Sequence, residues 1–130
     1  MKISAFKTDR TRETQGVWVD IGDGARLLIA RLNNERYKQV FLNVSKPYKT
    51  QVRMGTLEES LAEDILCKCY SKAVLLGWDG LQDDEGKDVQ YSEEKAYELL
   101  RTLPDFRQLV EDFATARELY RQEEIVQAGN

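Results

Sequence analysis

Apolar and polar residues alternate with a period of two near the start of the chain. Over residues 17–21, two valines and an isoleucine alternate with a tryptophan and an aspartate, as in a β-strand. Gly22-Asp23-Gly24 supplies a turn, and an apolar run from Leu27 returns along the strand. The pattern predicts a β-hairpin over residues 16–32. An isolated hairpin is marginal in water, so it must pack on helices or extend its sheet with another strand or another copy.

After the hairpin, the apolar residues follow the three-and-four spacing of amphipathic helices. Asn33 or Asn34 is expected to cap the first helix, and Pro47 should end it near residues 45–46, with a basic linker over residues 47–55. A capping box at residues 56–59 and the serine at 92 open two further helices. The helices are expected over residues 34–46, 56–76, 92–103 and 104–122.

The two ends of the chain lack a clear apolar period. Residues 1–15 are expected to form a loose N-terminal arm, with a loop over residues 8–15, and residues 123–130 a frayed tail. The whole pattern predicts a single domain, 1–130, of the α+β class. It is mostly helical, with four or so helices and an N-terminal β-hairpin. Its helical part, residues 33–122, contains a Trp-bearing corner at residues 77–91.

Composition narrows the class of protein. No run approaches the roughly 20 apolar residues that span a bilayer, and the N-terminus has no secretory signal pattern, so we expect no membrane partner. Cys67 and Cys69 are two apart in a helical pattern, on nearly opposite faces, so they are expected to be core residues in a reducing compartment. The chain is expected in the cytoplasm.

Charge is distributed unevenly along the chain. Residues 1–55 hold 11 basic and 5 acidic side chains, and residues 56–130 hold 8 basic and 18 acidic ones, so the two parts carry +6 and −10. Such parts could attract each other within the fold or between copies, or the charges could simply be solvated. The basic part shows no helix that would read nucleic acid, so no nucleic-acid partner is expected.

No motif indicates catalysis or a cofactor. The chain contains no histidine, which removes the commonest general base and imidazole ligand. Acidic residues cluster at Asp79, Asp83, Asp84, Glu85 and Asp88, but they miss the ligand and glycine spacing of a calcium-binding EF-hand loop. We therefore expect no catalytic, cofactor-binding or metal-binding residues, and a protein that is not an enzyme.

An ordered set of residues in the second half carries a family resemblance. A Gly-Trp-x-Gly-apolar corner is followed by an acidic turn with glycine, a short apolar-polar segment, a Ser-Glu-Glu helix start and a Leu-Leu pair. The matching residues are Gly77, Trp78, Gly80, Leu81, Asp84, Gly86, Val89, Ser92, Glu93, Glu94, Leu99 and Leu100. This order resembles the tail assembly chaperones of long, flexible-tailed bacteriophages.

The resemblance implies a function. Such chaperones bind the tape measure protein, keep it soluble and extended, and help bring tail tube subunits to it. They act in the host cytoplasm and are absent from the mature particle. Many also have a longer frameshifted form, which could contact the major tail protein. Two alternatives stay open: a structural head–tail joining or tail-completion protein, and a small phage-encoded regulator that binds a host protein.

Two surfaces are candidates for partner binding or for self-association into oligomers. One is the hairpin edge around Trp18 and Leu28, where Trp18 is either covered by a helix or forms a subunit contact. The other is the final helix, represented by Phe106, Leu109, Phe113 and Tyr120. The alternative for these residues is that they belong to the core of the protein itself.

Overall fold

The computed structural model describes residues 1–122, which form a three-stranded sheet and six α-helices. The elements are α1 (Arg10–Gln15), β1 (Val17–Gly22), β2 (Ala25–Ile29), α2 (Glu35–Ser45), α3 (Lys49–Met54), α4 (Glu59–Ala73), β3 (Leu75–Asp79), α5 (Glu93–Thr102) and α6 (Pro104–Ala114). Short 3-10 helices span Ile3–Phe6, Lys46–Tyr48 and Arg117–Tyr120. The α+β, mostly helical fold with an N-terminal β-hairpin is confirmed.

The sheet has the order β1-β2-β3, with both neighbours antiparallel to the central strand β2. Strand β3 corrects the prediction of a helix that continues to residue 76. An apolar run such as residues 74–78 suits a helix or a buried strand equally, and periodicity alone cannot separate them. This run forms a strand because β2 offers an edge with which it can pair. Leu27 pairs with Trp78, and Ile29 pairs with Leu75.

The core lies between the inner face of the sheet and helices α4, α5 and α6. Helix α4 packs against α2, α5 and β3, and α6 packs against α5 and β2. The buried cluster consists of Leu27, Ile29, Cys67, Tyr70, Val74, Leu75, Trp78, Ala96, Leu100, Val110 and Ala114. Both cysteines are buried and free, so the α4 face toward the core is wider than a single stripe.

Two aromatic residues hold the corner after β3. Each packs its apolar ring and donates a hydrogen bond from its polar N–H or O–H group. Trp78 is buried, and its Nε1–H donates to the Val89 carbonyl at 2.7 Å. Tyr91 packs edge-on against Trp78, with ring centroids 4.9 Å apart, and its hydroxyl donates to the Leu75 carbonyl at 2.9 Å. The segment between β3 and α5 is thereby fixed to the end of the sheet.

Asn34 joins the start of α2 to the end of α4. Its Oδ1 accepts from the Tyr37 backbone N–H at 2.9 Å, as a helix cap should. Its Nδ2 donates to the carbonyls of Arg31 and Ala73 at 2.7 and 2.9 Å. Of the two asparagines predicted as the cap, Asn34 is the one that caps α2. Ser92 caps α5 as predicted, by accepting from the Lys95 N–H.

The prediction of a loop over residues 8–15 is wrong, because helix α1 occupies Arg10–Gln15. Helix α1 forms because Asp9 caps it, accepting from the N–H groups of Thr11 and Arg12 at 3.0 and 3.2 Å. The Asp9 N–H donates to the Tyr120 carbonyl at 2.8 Å, which ties this segment to the end of the described chain. The local polar pattern missed a helix that a single cap and tertiary contacts support.

Three further boundaries differ from the sequence prediction. The basic linker over residues 47–55 is mostly helical, since a 3-10 turn carries the chain past Pro47 into α3. Helix α4 begins at Glu59 with Glu58 at its cap, so Thr56 does not cap it. Helix α6 ends at Ala114, eight residues before the predicted end, and a 3-10 turn follows. The predicted frayed tail, 123–130, lies outside the described residues.

Replacing Gly80 by alanine should destabilise the protein more than replacing Gly86. Both glycines have a left-handed backbone, with φ of +78° and +80°, which costs about 1–2 kcal/mol for alanine. A Cβ at Gly80 would also collide with the Gly24 carbonyl oxygen, whereas one at Gly86 meets open space. We expect Gly80→Ala to cost about 1–3 kcal/mol more in urea unfolding. Equal losses would contradict the close approach of the two turns.

Candidate functional site

The outer sheet face exposes Trp18 to solvent, beside a half-buried Leu28 and a buried Gly77. We define this outer sheet face by Trp18, Leu28 and Gly77, which occupy one rung across the three strands. Trp18 is 45% exposed, and the Arg26 guanidinium lies over its ring, 4.3 Å from the centroid. Within the described residues, a cation rather than a helix covers part of the tryptophan, and its contact with another subunit stays a prediction.

Charged side chains border this face. On the next rung, Asp20, Arg26 and Asp79 are aligned, and Arg26 Nε lies 3.5 Å from Asp79 Oδ2. Asp20 is engaged locally, since its Oδ1 accepts from the Gly22 N–H at 2.9 Å. Strand β1 pairs only with β2 among residues 1–122, so one edge of the sheet is free next to the tryptophan. An aromatic side chain beside a free strand edge suits association between chains.

The residues chosen on the final helix occupy a different environment. Phe106, Leu109 and Phe113 lie on α6 half-buried against the core. Tyr120 lies beyond that helix and is fully buried, and its hydroxyl donates to the Ile29 carbonyl at 2.9 Å. Tyr120 is thus a core residue, which is the alternative that its sequence pattern left open. The two candidate surfaces of the sequence analysis do not form one site.

A second open apolar surface, which the sequence analysis missed, begins on α2 and extends into the space between α2, α3 and α4. Two adjoining cavities of about 390 and 200 Å³ both include Tyr37 and Phe41 in their walls. We call them together the α2–α4 groove. Its remaining lining residues are Asn33, Lys38, Leu42, Val52, Leu57, Ala62, Ile65 and Leu66. Leu42 is 69% exposed at its rim, so the groove is accessible to a partner.

Basic side chains lie on α2, on α3 and on the turn between them, and one of them, Lys38, lines the groove. Lys38, Lys46, Lys49 and Arg53 are exposed and make no ion pair with other residues of the described chain. Sequence reasoning assigned the apolar stripe of α2 to the core and the basic residues to a linker. The signal available in the sequence was Leu42, an apolar residue that follows Phe41 but lies outside the apolar stripe, with Val52 and Met54 in the basic segment that follows.

Burial perturbs the hydroxyl and thiol groups near the groove. Burial, together with Cys69 and Glu111, raises the pKa of Tyr37 to about 12. Burial raises the pKa of Cys69 to about 11. Burial and then the hydrogen bond to Glu111, 2.6 Å long, raise the pKa of Tyr70. A raised thiol pKa disfavours the reactive thiolate, so Cys69 acts as an apolar core residue.

The acidic turn after the Trp corner is held by the Asp83 side chain together with a backbone hydrogen bond. Asp83 Oδ1 accepts from the N–H groups of Glu85 and Lys87, both at 2.9 Å, and the Asp83 N–H donates to the Lys87 carbonyl. Within residues 1–122, no group of three or more potential metal-ligating side chains comes together.

No helix within residues 1–122 is long and apolar enough to cross a membrane.

The family model of the YdaY prophage protein matches residues 32–130, more than half of the chain. This chain belongs to the YdaY prophage protein family. No curated protein and no solved structure matches it. The YdaY match supports a phage-derived protein. It agrees with the phage origin that the resemblance implied, and it does not specify a tail assembly chaperone. The matched residues include every residue that lines the α2–α4 groove, whereas Trp18 and Leu28 precede the matched range.

Truncating Tyr120 should unfold this YdaY-family protein much more readily than truncating Trp18. Tyr120→Ala removes a fully buried ring and its hydrogen bond, and we expect a loss of about 3–5 kcal/mol. Trp18→Ala removes an exposed cation–π contact, worth about 0.5–1 kcal/mol. Urea unfolding followed by circular dichroism measures both. Similar losses would place Trp18 in the stabilising core instead of at a contact surface.

Alkaline pH should destabilise the fold through Tyr37 and Cys69. Their folded-state pKa values lie above the ordinary 10.0 and 9.0, so the unfolded chain loses these protons first. The stability contribution is complete below about pH 9 and is lost as the pH rises toward 11–12. The urea midpoint should therefore fall across this window, and Cys69→Ala should flatten the fall between pH 9 and 11. An unchanged slope in that variant would contradict the role of the thiol.

Proposed function

We propose that this protein is a phage tail assembly chaperone that binds the tape measure protein, keeps it soluble and promotes assembly of the tail tube. The observation that carries the proposal is the presence of two separate uncovered apolar surfaces, the outer sheet face and the α2–α4 groove. One copy can therefore contact a partner and a neighbouring copy at the same time. The prophage family supports a phage context for this activity.

The proposed mechanism is multivalent coating of a long partner. Each copy offers the partner one small apolar groove, so a single contact would be weak. Linking copies to one another raises the effective concentration of each further groove along the same partner chain. Many weak contacts then hold the tape measure protein extended and shield its apolar residues from self-aggregation.

Self-association is assigned to the outer sheet face. Edge strand β1 can pair with the same strand of a second copy, and Trp18 would then lie close to that new contact. Such pairing is self-complementary about a two-fold axis. Under this proposal, a longer frameshifted form would add a contact to the major tail protein and bring tube subunits to the coated partner.

The proposed site of action is the host cytoplasm, and the protein leaves before the particle is complete. A head–tail joining or tail-completion protein would instead remain in the particle. Mass spectrometry of purified particles separates these functions, because the chaperone proposal requires the chain to be missing. A regulator of a host protein would be absent from particles too, but it would not change the solubility of the tape measure protein.

Co-expression with the tape measure protein of the same prophage tests the proposal directly. We expect a soluble complex with many copies of this chain per partner, measured by pull-down and light scattering. Trp18→Asp should reduce the number of copies per complex several-fold, because it opposes association at the sheet face. Leu103→Asp is the matched control, since Leu103 is similarly exposed, at 48%, outside both candidate surfaces.

Two outcomes would count against the chaperone. If the tape measure protein stays insoluble while this chain elutes alone, binding is absent. If Leu103→Asp reduces the complex as much as Trp18→Asp, the effect of the tryptophan is not specific to its surface.

A further inference from the structure

We infer that two copies of this chain pair through strand β1, with Val19 on a two-fold axis, to form one continuous six-stranded sheet. The inference rests on the self-association that the proposed function assigns to the outer sheet face, and it adds the register and the contacts of that pairing. The occupant of the free edge is a second copy, because the charges and the sequence of β1 complement themselves in one antiparallel register.

The free edge of β1 lacks the usual protection of an edge strand. Among residues 1–122, β1 pairs with β2 alone, so backbone N–H and C=O groups on its other side have no partner strand. Lysine, proline or an inward-pointing charge commonly prevents further pairing at such an edge. Strand β1 contains none of these, since its one charged residue, Asp20, shares the outer face with Trp18. The register shift between Asp20 and Gly22 affects only the end of the strand.

The sequence of β1 favours one register. A two-fold axis perpendicular to the sheet passes through a residue that faces its own copy. Centred on Asp20, the pairing would set two aspartates directly opposite each other, which is destabilising. Centred on Trp18, it would cover only residues 17–19, because β1 begins at residue 17. Centred on Val19, it covers residues 17–21 and keeps the like charges apart, and centres nearer either end pair fewer residues.

This register also places opposite charges side by side. Asp20 of each copy lies opposite Trp18 of the other. Within one chain, Asp20 and Arg26 are aligned, yet they form no ion pair in the described residues. The Arg26 guanidinium, which contacts Asp79 at 3.5 Å, lies over the Trp18 ring, on the rung that Asp20 of the second copy would occupy. The pairing therefore joins two carboxylates to two guanidinium groups and covers both tryptophans.

The charges at the two ends of β1 favour the same antiparallel direction. The turn after β1 carries Asp23. Gly80 lies against Gly24 of that turn, so the segment 79–88, with five acidic side chains and one basic side chain, begins at the same end of the sheet. Residues 1–15, which lead into β1, contain four basic and two acidic side chains. An antiparallel pairing sets the end of each β1 beside the start of the other, whereas a parallel pairing would bring the two acidic ends together.

Charge reversal between copies tests the pairing with the full-length protein. Asp20→Arg and Arg26→Asp should each weaken the dimer at least about tenfold in analytical ultracentrifugation, because each variant opposes like charges across the axis. An equimolar mixture of the two variants should restore the dimer, since both contacts between the copies then join opposite charges. Misfolded variants would not rescue each other, so the mixture separates a lost contact from a lost fold.

Single cysteines test the register. Val19→Cys should form a disulfide-linked dimer under mild oxidation, because the residue on the axis faces its own copy at a distance that a disulfide spans. Val17→Cys is the matched control, at a valine on the same face of the same strand, and it should remain without a cross-link. The native Cys67 and Cys69 are fully buried, so they should not compete.

Several results would overturn the inference. A parent protein that sediments as a monomer, a variant mixture that stays monomeric, or cross-linking of Val17→Cys in place of Val19→Cys would each remove this pairing. If the parent is monomeric and Asp20→Arg abolishes its tape measure complex, the edge binds the partner instead of a second copy. A tape measure complex that a monomeric parent forms and Asp20→Arg retains would refute the pairing and leave the chaperone proposal standing. A dimer that passes these tests without any tape measure complex would do the reverse.

Discussion

Pairing of β3 with β2 is the contact on which the rest of the structure depends. It turns a marginal two-stranded hairpin into a sheet and joins the first thirty or so residues to the helices. The Ala30 N–H also donates to the Val74 carbonyl at 2.8 Å, at the junction between α4 and β3. Because β3 follows α4 directly and leads into the Trp78 corner, its register fixes both the core side of α4 and the start of α5.

In the described part of the chain, helices cover one face of the sheet, and this explains why an aromatic residue remains exposed on the other face. Helices α4 and α6 contact the sheet at β3 and β2, and the buried sheet residues Leu27, Ile29 and Leu75 face them. The alternation of strand side chains then sends Trp18 and Leu28 to the other face. The exposure of Trp18 is a geometric consequence of covering a three-stranded sheet on one side, and association between chains is the proposed way to cover the second side.

Local signals predicted those features that local interactions decide. Asn34 and Ser92 satisfy backbone N–H groups within their own first helical turn, so their caps could be read from the sequence. Strand β3 depends on a partner strand nearly fifty residues away, and Tyr120 is buried by contact with Ile29, 91 positions earlier. The α2–α4 groove was missed because it requires α3, which forms after a proline that predicts a linker.

The ion pairs of the fold partly balance the uneven charge of the chain. Along α4, α5 and α6, acidic residues pair with cations of the same three helices. Glu63 of α4, for example, pairs with Arg101 and Arg107, so part of the negative charge of residues 56–130 is compensated locally. Around the α2–α4 groove, the two signs lie on different sides. Exposed cations lie on α2, on α3 and on the turn between them, whereas Glu58 and Glu59 follow the lining residue Leu57 at the start of α4. The uneven charge of the linear sequence therefore becomes, in the fold, a contrast between two sides of one groove, because folding places the end of the basic part beside the start of the acidic part.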